Sequence, residues 1–136
     1  MSELSRETRV VAVSRLYATE PYGRARQPWF LNLAVRVETQ ASPRELLSLA
    51  KRLEARAGRV AAGRWGPRRL DVDILLMGSG VVSEPDLTIP HASLASRRFC
   101  LVPAAEVAGG AAVPPGGRTV AQLLASCEDT LEVIAI

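Results

Sequence analysis

Residues 64–78 read RWGPRRLDVDILLMG. Three arginines, Arg64, Arg68 and Arg69, surround a Gly-Pro turn, and Asp71 and Asp73 then alternate with Leu70, Val72, Ile74 and Leu76. The alternation predicts a strand over 70–77. In a strand, positions i and i+2 project from one face about 6 to 7 Å apart. The two carboxylates would then repel by about 2 to 3 kcal/mol at an effective dielectric near 20. Either that face is solvated and the repulsion screened, or a cation sits between the two side chains.

The upstream charges favour the cation. Magnesium takes one or two protein carboxylates and completes its shell with water and phosphate oxygens. Arginine binds phosphate through a planar fork that lysine lacks, and every basic residue of this chain except Lys51 is arginine. Arg59, Arg64, Arg68 and Arg69 all precede the aspartates on a stretch rich in Gly and Pro, GRVAAGRWGPRR (58–69). No GxxxxGK[ST] sequence is present, so the phosphate site is not a P-loop.

Working outward, TRVVAVSRLYAT (8–19) and PWFLNLAVRVET (28–39) each alternate as strands, joined by the loop 20–28. In the second, Leu31, Leu33, Val35 and Val37 are expected on one face, and Phe30, Asn32, Ala34 and Arg36 on the other. SPRE (42–45) opens a helix with Ser42 as N-cap, Pro43 in the first turn and Glu45 closing a capping box. Leu46, Leu49, Ala50, Leu53 and Ala57 recur at helical spacing, and Gly58 is expected to stop it. After the aspartate strand come a hairpin, with Val81 and Val82 on one arm and 87–89 on the other, and a turn at 113–118. A short helix at 119–127 and a closing strand at 131–136 follow. This order predicts an α+β sandwich with a mainly antiparallel sheet.

With 136 residues, 48% of them hydrophobic, the chain suits a single domain spanning 1–136. No apolar run approaches the roughly 18 residues of a membrane span, and MSELSRETRV has no signal-peptide core; a cytoplasmic location is the default. Cys100 and Cys127 lack CxxC spacing and suggest neither a zinc site nor a disulfide framework. Nucleic-acid binding is not expected: the aromatic-rich strand of an RNA-reading sheet is missing, and the basic charge is gathered on one loop.

The block RWGPRRLDVDILLMG, together with SRLYATEPYG (14–23), QPWFLN (27–32), LEARAGR (53–59) and LTIPHASLASRRF (87–99), resembles the 6-hydroxymethyl-7,8-dihydropterin pyrophosphokinases. The resemblance implies transfer of pyrophosphate from ATP to the hydroxymethyl group of the pterin, a step of folate biosynthesis that gives AMP and the pterin diphosphate. It implies Asp71 and Asp73 as ligands of Mg2+, two ions being expected, and Arg59 and Arg68 as catalytic arginines closing over the triphosphate. Glu54, Arg64, Trp65, Ile74, Thr88, His91 and Arg97 fall at the ATP site. Thr19, Tyr22, Phe30, Asn32, Trp65 and Phe99 fall at the pterin site, with Phe30 and Phe99 stacking on the ring and Asn32 reading its edge.

That family has a ferredoxin-like sheet whose N-terminal strand lies between the strands 28–39 and 70–77. Here residues 1–8 match only the tail of the helix that follows it, so this strand is expected to be missing. Either the true start lies upstream of Met1 or the sequence is truncated, or a partner chain or a swapped strand would fill the slot. A second reading follows from the same departure: a truncated or degenerate relative that binds nucleotide or pterin without turnover.

Overall fold

The computed structural model describes residues 8–20, 29–62 and 70–136. The two alternating segments form one long antiparallel hairpin, broken midway. Strand β1 (Arg9–Val13) pairs with β4 (Val35–Glu38), and β2 (Tyr17–Thr19) pairs with β3 (Phe30–Asn32). Each expected strand is therefore split in two. The break falls where the Ser14 hydroxyl accepts from the Ala34 N–H at 2.8 Å, while the Ser14 N–H donates to the Ala34 carbonyl. A side chain that takes over a ladder position interrupts the regular exchange of backbone bonds. A register shift between Val10 and Ala12 adds to it.

The expected apolar face is only half realised. Val35 and Val37 are half-buried, whereas Leu31 and Leu33 are exposed, as is Phe30 on the opposite side. The closing strand β9 (Val133–Ala135) pairs with the other edge of β2, aligning Ala18 with Ile134.

Helix α1 (Pro43–Ala62) begins as its sequence requires. The Glu45 N–H donates to Ser42 Oγ at 3.1 Å, and the Ser42 N–H donates to Glu45 Oε1 at 2.8 Å. This reciprocal pair holds the Glu45 carboxyl below its ordinary pKa, the Ser42 backbone contributing most. Leu49 and Ala50 are buried, with Leu46, Leu53 and Ala57 half-buried beside them. Gly58 does not stop the helix, which runs on to Ala62. A glycine costs an interior helical position about 1 kcal/mol, less than a well-started helix needs to continue.

Segment 70–77 is not a ladder strand. A strand is a paired state, and among the described residues no ladder includes this segment. The Val72 N–H donates to a side chain, and the Leu75 carbonyl accepts from the His91 N–H at 2.9 Å. The alternation also fails at its end, since Leu75 and Leu76 both pack against the main core. The expected hairpin is present as β5 (Val82–Glu84) against β6 (Leu87–Ile89). Arg44 in the first turn of α1 reaches both Glu84 and Asp86 of this hairpin.

The core lies beneath α2 (Arg98–Ala108) and α3 (Val120–Ala125), where Leu94, Cys100, Leu101, Ala104, Val113 and Val120 are buried together. Thr119 caps α3 through a reciprocal box with Gln122. A two-residue pair, β7 (Ala112–Val113) with β8 (Arg118–Thr119), brackets the turn 114–117. Every strand pairing among the described residues is antiparallel. The mixture of helices and antiparallel strands is that of an α+β fold.

Candidate active site

Asp71 and Asp73 are both exposed, and Val72 between them is half-buried. The Val72 N–H donates to Glu54 Oε2 on α1 at 2.7 Å, and Glu54 Oε1 lies 3.5 Å from Lys51 Nζ one turn earlier. The backbone between the two aspartates is thus fixed by a charge-assisted bond, and the aspartates on either side of it are exposed.

From the other side comes the segment after β6. His91 Nε2 stands 3.9 Å from Asp73 Oδ1, too far for a hydrogen bond. His91 Nδ1 accepts from the Ser93 N–H at 3.1 Å. In the neutral ring this puts the proton on Nε2, facing Asp73. The His91 N–H to Leu75 carbonyl bond ties the two segments together.

The start of α2 closes the third side. Cys100 is buried and its thiol is pushed up to about 12, by burial first and then by the Asp73 charge, with Arg97 acting in the opposite sense. The Arg97 guanidinium lies 5.8 Å over the Phe99 ring, and its Nε donates to Asp129 Oδ2 at 3.1 Å. Phe99 is half-buried and packs on the core cluster.

At the hairpin, Asn32 Nδ2 donates to Thr19 Oγ1 at 2.6 Å across the β2–β3 ladder. Thr19 is buried, and Phe30, its register partner, is 58% exposed. Ile74 is half-buried beside the aspartates, and Thr88 is exposed on β6.

The structure therefore joins Glu54 to the backbone between Asp71 and Asp73, brings His91 within 3.9 Å of Asp73, sets Arg97 over Phe99, and joins Thr19 to Asn32. Tyr22, Arg64, Trp65 and Arg68 lie outside the described residues, as does the side chain of Arg59, whose backbone belongs to α1. Among the described residues no group of three or more His, Cys, Asp or Glu is placed to hold a metal ion together, and no helix is long and apolar enough to cross a membrane.

One participant, Asp129, and one bond, that of Glu54 to the Val72 N–H, were not anticipated from the sequence. Asp129 lies 32 residues from Arg97, with no spacing signal to join them. The bond of Glu54 is to a backbone N–H, and a motif reports side chains only.

Comparison with known proteins identifies the family of the chain. The family model described as 7,8-dihydro-6-hydroxymethylpterin-pyrophosphokinase matches residues 1–109. The 2-amino-4-hydroxy-6-hydroxymethyldihydropteridine pyrophosphokinase of Pseudomonas aeruginosa is 44% identical over 121 residues, 89% of this chain and 74% of that protein. Its counterpart in Methylorubrum extorquens is 43% identical over 120 residues, 88% of this chain and 75% of that one. A folate synthesis bifunctional protein of Arabidopsis thaliana is 46% identical over 98 residues, which are 72% of this chain and 18% of that protein.

Proposed function

This chain belongs to the 7,8-dihydro-6-hydroxymethylpterin-pyrophosphokinase family, and from that premise we propose how its residues divide the work of moving a pyrophosphoryl group from ATP to the pterin. The observation that carries the reading is the fixed Asp71–Val72–Asp73 segment, held by Glu54 and faced by His91.

Asp71 and Asp73 offer hard oxygen donors on an exposed surface, which suits Mg2+ completed by water and phosphate oxygens. Bound there, Mg2+ supplies charge neutralisation for the triphosphate. Arg97 contributes a further positive charge, and Arg59, Arg64 and Arg68 on the preceding stretch close over the phosphates. Arginines placed this way stabilise charge that spreads over phosphoryl oxygens in the transition state. His91 donates from Nε2 toward the nucleotide; Ile74, Thr88 and Trp65 line it. Glu54 enters the nucleotide site through the backbone it holds.

Phe30 and Phe99 stack on the flat pterin, since offset aromatic packing suits a planar heterocycle. Asn32, its amide fixed by Thr19, presents both donor and acceptor to the ring edge. Tyr22 completes this pocket. The pterin hydroxymethyl oxygen attacks the β-phosphorus as the bond to the α–β bridging oxygen breaks. AMP leaves with that oxygen, and the hydroxyl proton passes to solvent. Positioning and electrostatics supply the acceleration, as no side chain stands out as a general base.

The finer architecture belongs to the same proposal. A ferredoxin-like sheet would place a further strand beside segment 70–77, supplied by a partner chain or a swapped segment. A reaction between two small soluble substrates suits the cytoplasm. The test is a coupled assay for AMP release from Mg-ATP and the hydroxymethyl-dihydropterin. Pterin-dependent AMP formation is expected; its absence overturns the reading.

A further inference from the structure

Asp129 is nearly buried, its side chain 12% exposed, and its carboxylate collects three donors. Oδ2 accepts from Arg97 Nε at 3.1 Å and from the Arg98 N–H at 3.0 Å, and Oδ1 accepts from the Leu131 N–H at 3.1 Å. Burial alone would raise the pKa of this carboxyl; the bonds from Leu131, Arg98 and Arg97 outweigh it and hold the group below its ordinary value. Arg97 stands at the N-cap of α2 in extended conformation, and its own side chain makes no cap bond. Asp129 does that work from elsewhere in the chain, satisfying the first N–H of the helix while gripping the guanidinium.

A guanidinium is a rigid planar fork, so a bond at Nε sets the plane of the whole group. The Phe99 ring beneath it fixes one face. Asp129 and Phe99 thus both restrain the Arg97 guanidinium.

We infer that Asp129 is a positioning residue that orients Arg97 toward the triphosphate, so that the C-terminal segment leading into β9 takes part in nucleotide recognition. The assignment rests on the role of Arg97 given under the proposed function. Asp129 lies beyond the segment that the family model matches.

The experiment compares Asp129→Asn, Arg97→Gln and the double variant in steady-state assays of AMP formation, with melting temperatures measured in parallel. Asp129→Asn is expected to raise the KM for ATP about tenfold while kcat changes less than about threefold, and the double variant to be no worse than Arg97→Gln alone, because the two residues act as one unit. Should Asp129→Asn fail to fold, Asp129→Glu keeps the charge and the acceptors but displaces them by one methylene, and the same rise in KM is expected. A lowered melting temperature with unchanged KM, or additive losses in the double variant, overturns the assignment of Asp129 alone. No AMP from the wild-type chain overturns the reading of the whole site, and this assignment with it.

Discussion

Glu54 on α1 accepts a 2.7 Å hydrogen bond from the backbone N–H of Val72, the residue that separates Asp71 from Asp73. A helix carboxylate thus fixes the backbone from which two other carboxylates project. Three acidic groups in one neighbourhood would repel, but they face different partners. Glu54 meets a backbone dipole and Lys51, while Asp71 and Asp73 are turned to the exposed side.

Replacing Glu54 separates positioning from direct nucleotide contact. Glu54→Gln keeps an acceptor for Val72 and is expected to lose about 1 kcal/mol, the difference between a charge-assisted and a neutral bond. Glu54→Leu leaves the N–H unpaired and is expected to cost about 1 to 3 kcal/mol. In activity assays Glu54→Leu should raise the Mg2+ concentration for half-saturation more than it raises the KM for ATP. The reverse order would show that Glu54 acts on the nucleotide directly.

Asp71→Asn and Asp73→Asn should each lower kcat/KM by about a hundredfold or more, the scale of losing a group that stabilises transition-state charge. Both positions are exposed, so melting temperatures should stay near wild type or rise slightly as like-charge repulsion is relieved. Mg2+ titrations of each variant followed by calorimetry with ATP present would reveal weakened binding. Unchanged Mg2+ dependence in both would remove the aspartates from the metal site.

Tyr17 and Glu106 should give the chain a characteristic pH profile. The buried Tyr17 hydroxyl donates to Glu106, whose carboxylate also accepts from the Arg15 N–H. The Tyr17 pKa is raised, chiefly by that bond to Glu106, and the Glu106 pKa is lowered, chiefly by the same bond. The Tyr17 contribution is full below the ordinary phenol value of about 10 and is lost as pH rises through the raised one. The Glu106 contribution is present above the ordinary carboxylate value of about 4.3 and is lost as pH falls through the lowered one. Absorbance titration at 295 nm should show a high-pH tyrosine transition that Tyr17→Phe abolishes. The stability difference between wild type and Tyr17→Phe should shrink at both extremes of pH.

The two thiols should differ sharply in reactivity. Cys100 is buried with its pKa pushed up to about 12, whereas Cys127 is only half-buried. The thiolate is the reactive form. An aromatic disulfide reagent at pH 8 should label Cys127 first and reach Cys100 only on unfolding. Equal rates in the native protein would contradict the packing beneath α2.

The N-cap of α1, which carries no residue assigned to the site, gives a separate stability test. Ser42→Ala removes the acceptor for the Glu45 N–H and is expected to cost about 0.5 to 2 kcal/mol, read from denaturant unfolding.

Much of this was written locally. The Ser42–Glu45 and Thr119–Gln122 boxes announce the starts of α1 and α3, because a cap is made by residues three apart and needs no tertiary contact. The hairpin at 82–89 and the strand at 133–135 were legible in the same way. Asp71, Asp73 and His91 were named from residue type and motif alone, which need no coordinates, and their roles belong to the proposed function.

What the sequence could not determine was pairing. Alternation in LDVDILLM describes a segment able to be a strand, yet strand formation requires neighbouring backbone, and here Glu54 and His91 take two of the bonds. Gly58 looked like a stop because glycine weakens a helix, but the residues around it decided that α1 continues to Ala62. Asp129 carries no motif at all; only the fold brings it across 32 residues to Arg97. In RWGPRRLDVDILLMG the sequence alone specified the charges and their spacing. For the Asp71–Asp73 segment the tertiary structure decided what holds the backbone in place, because a carboxylate or a backbone N–H acquires its partner only when distant segments pack together.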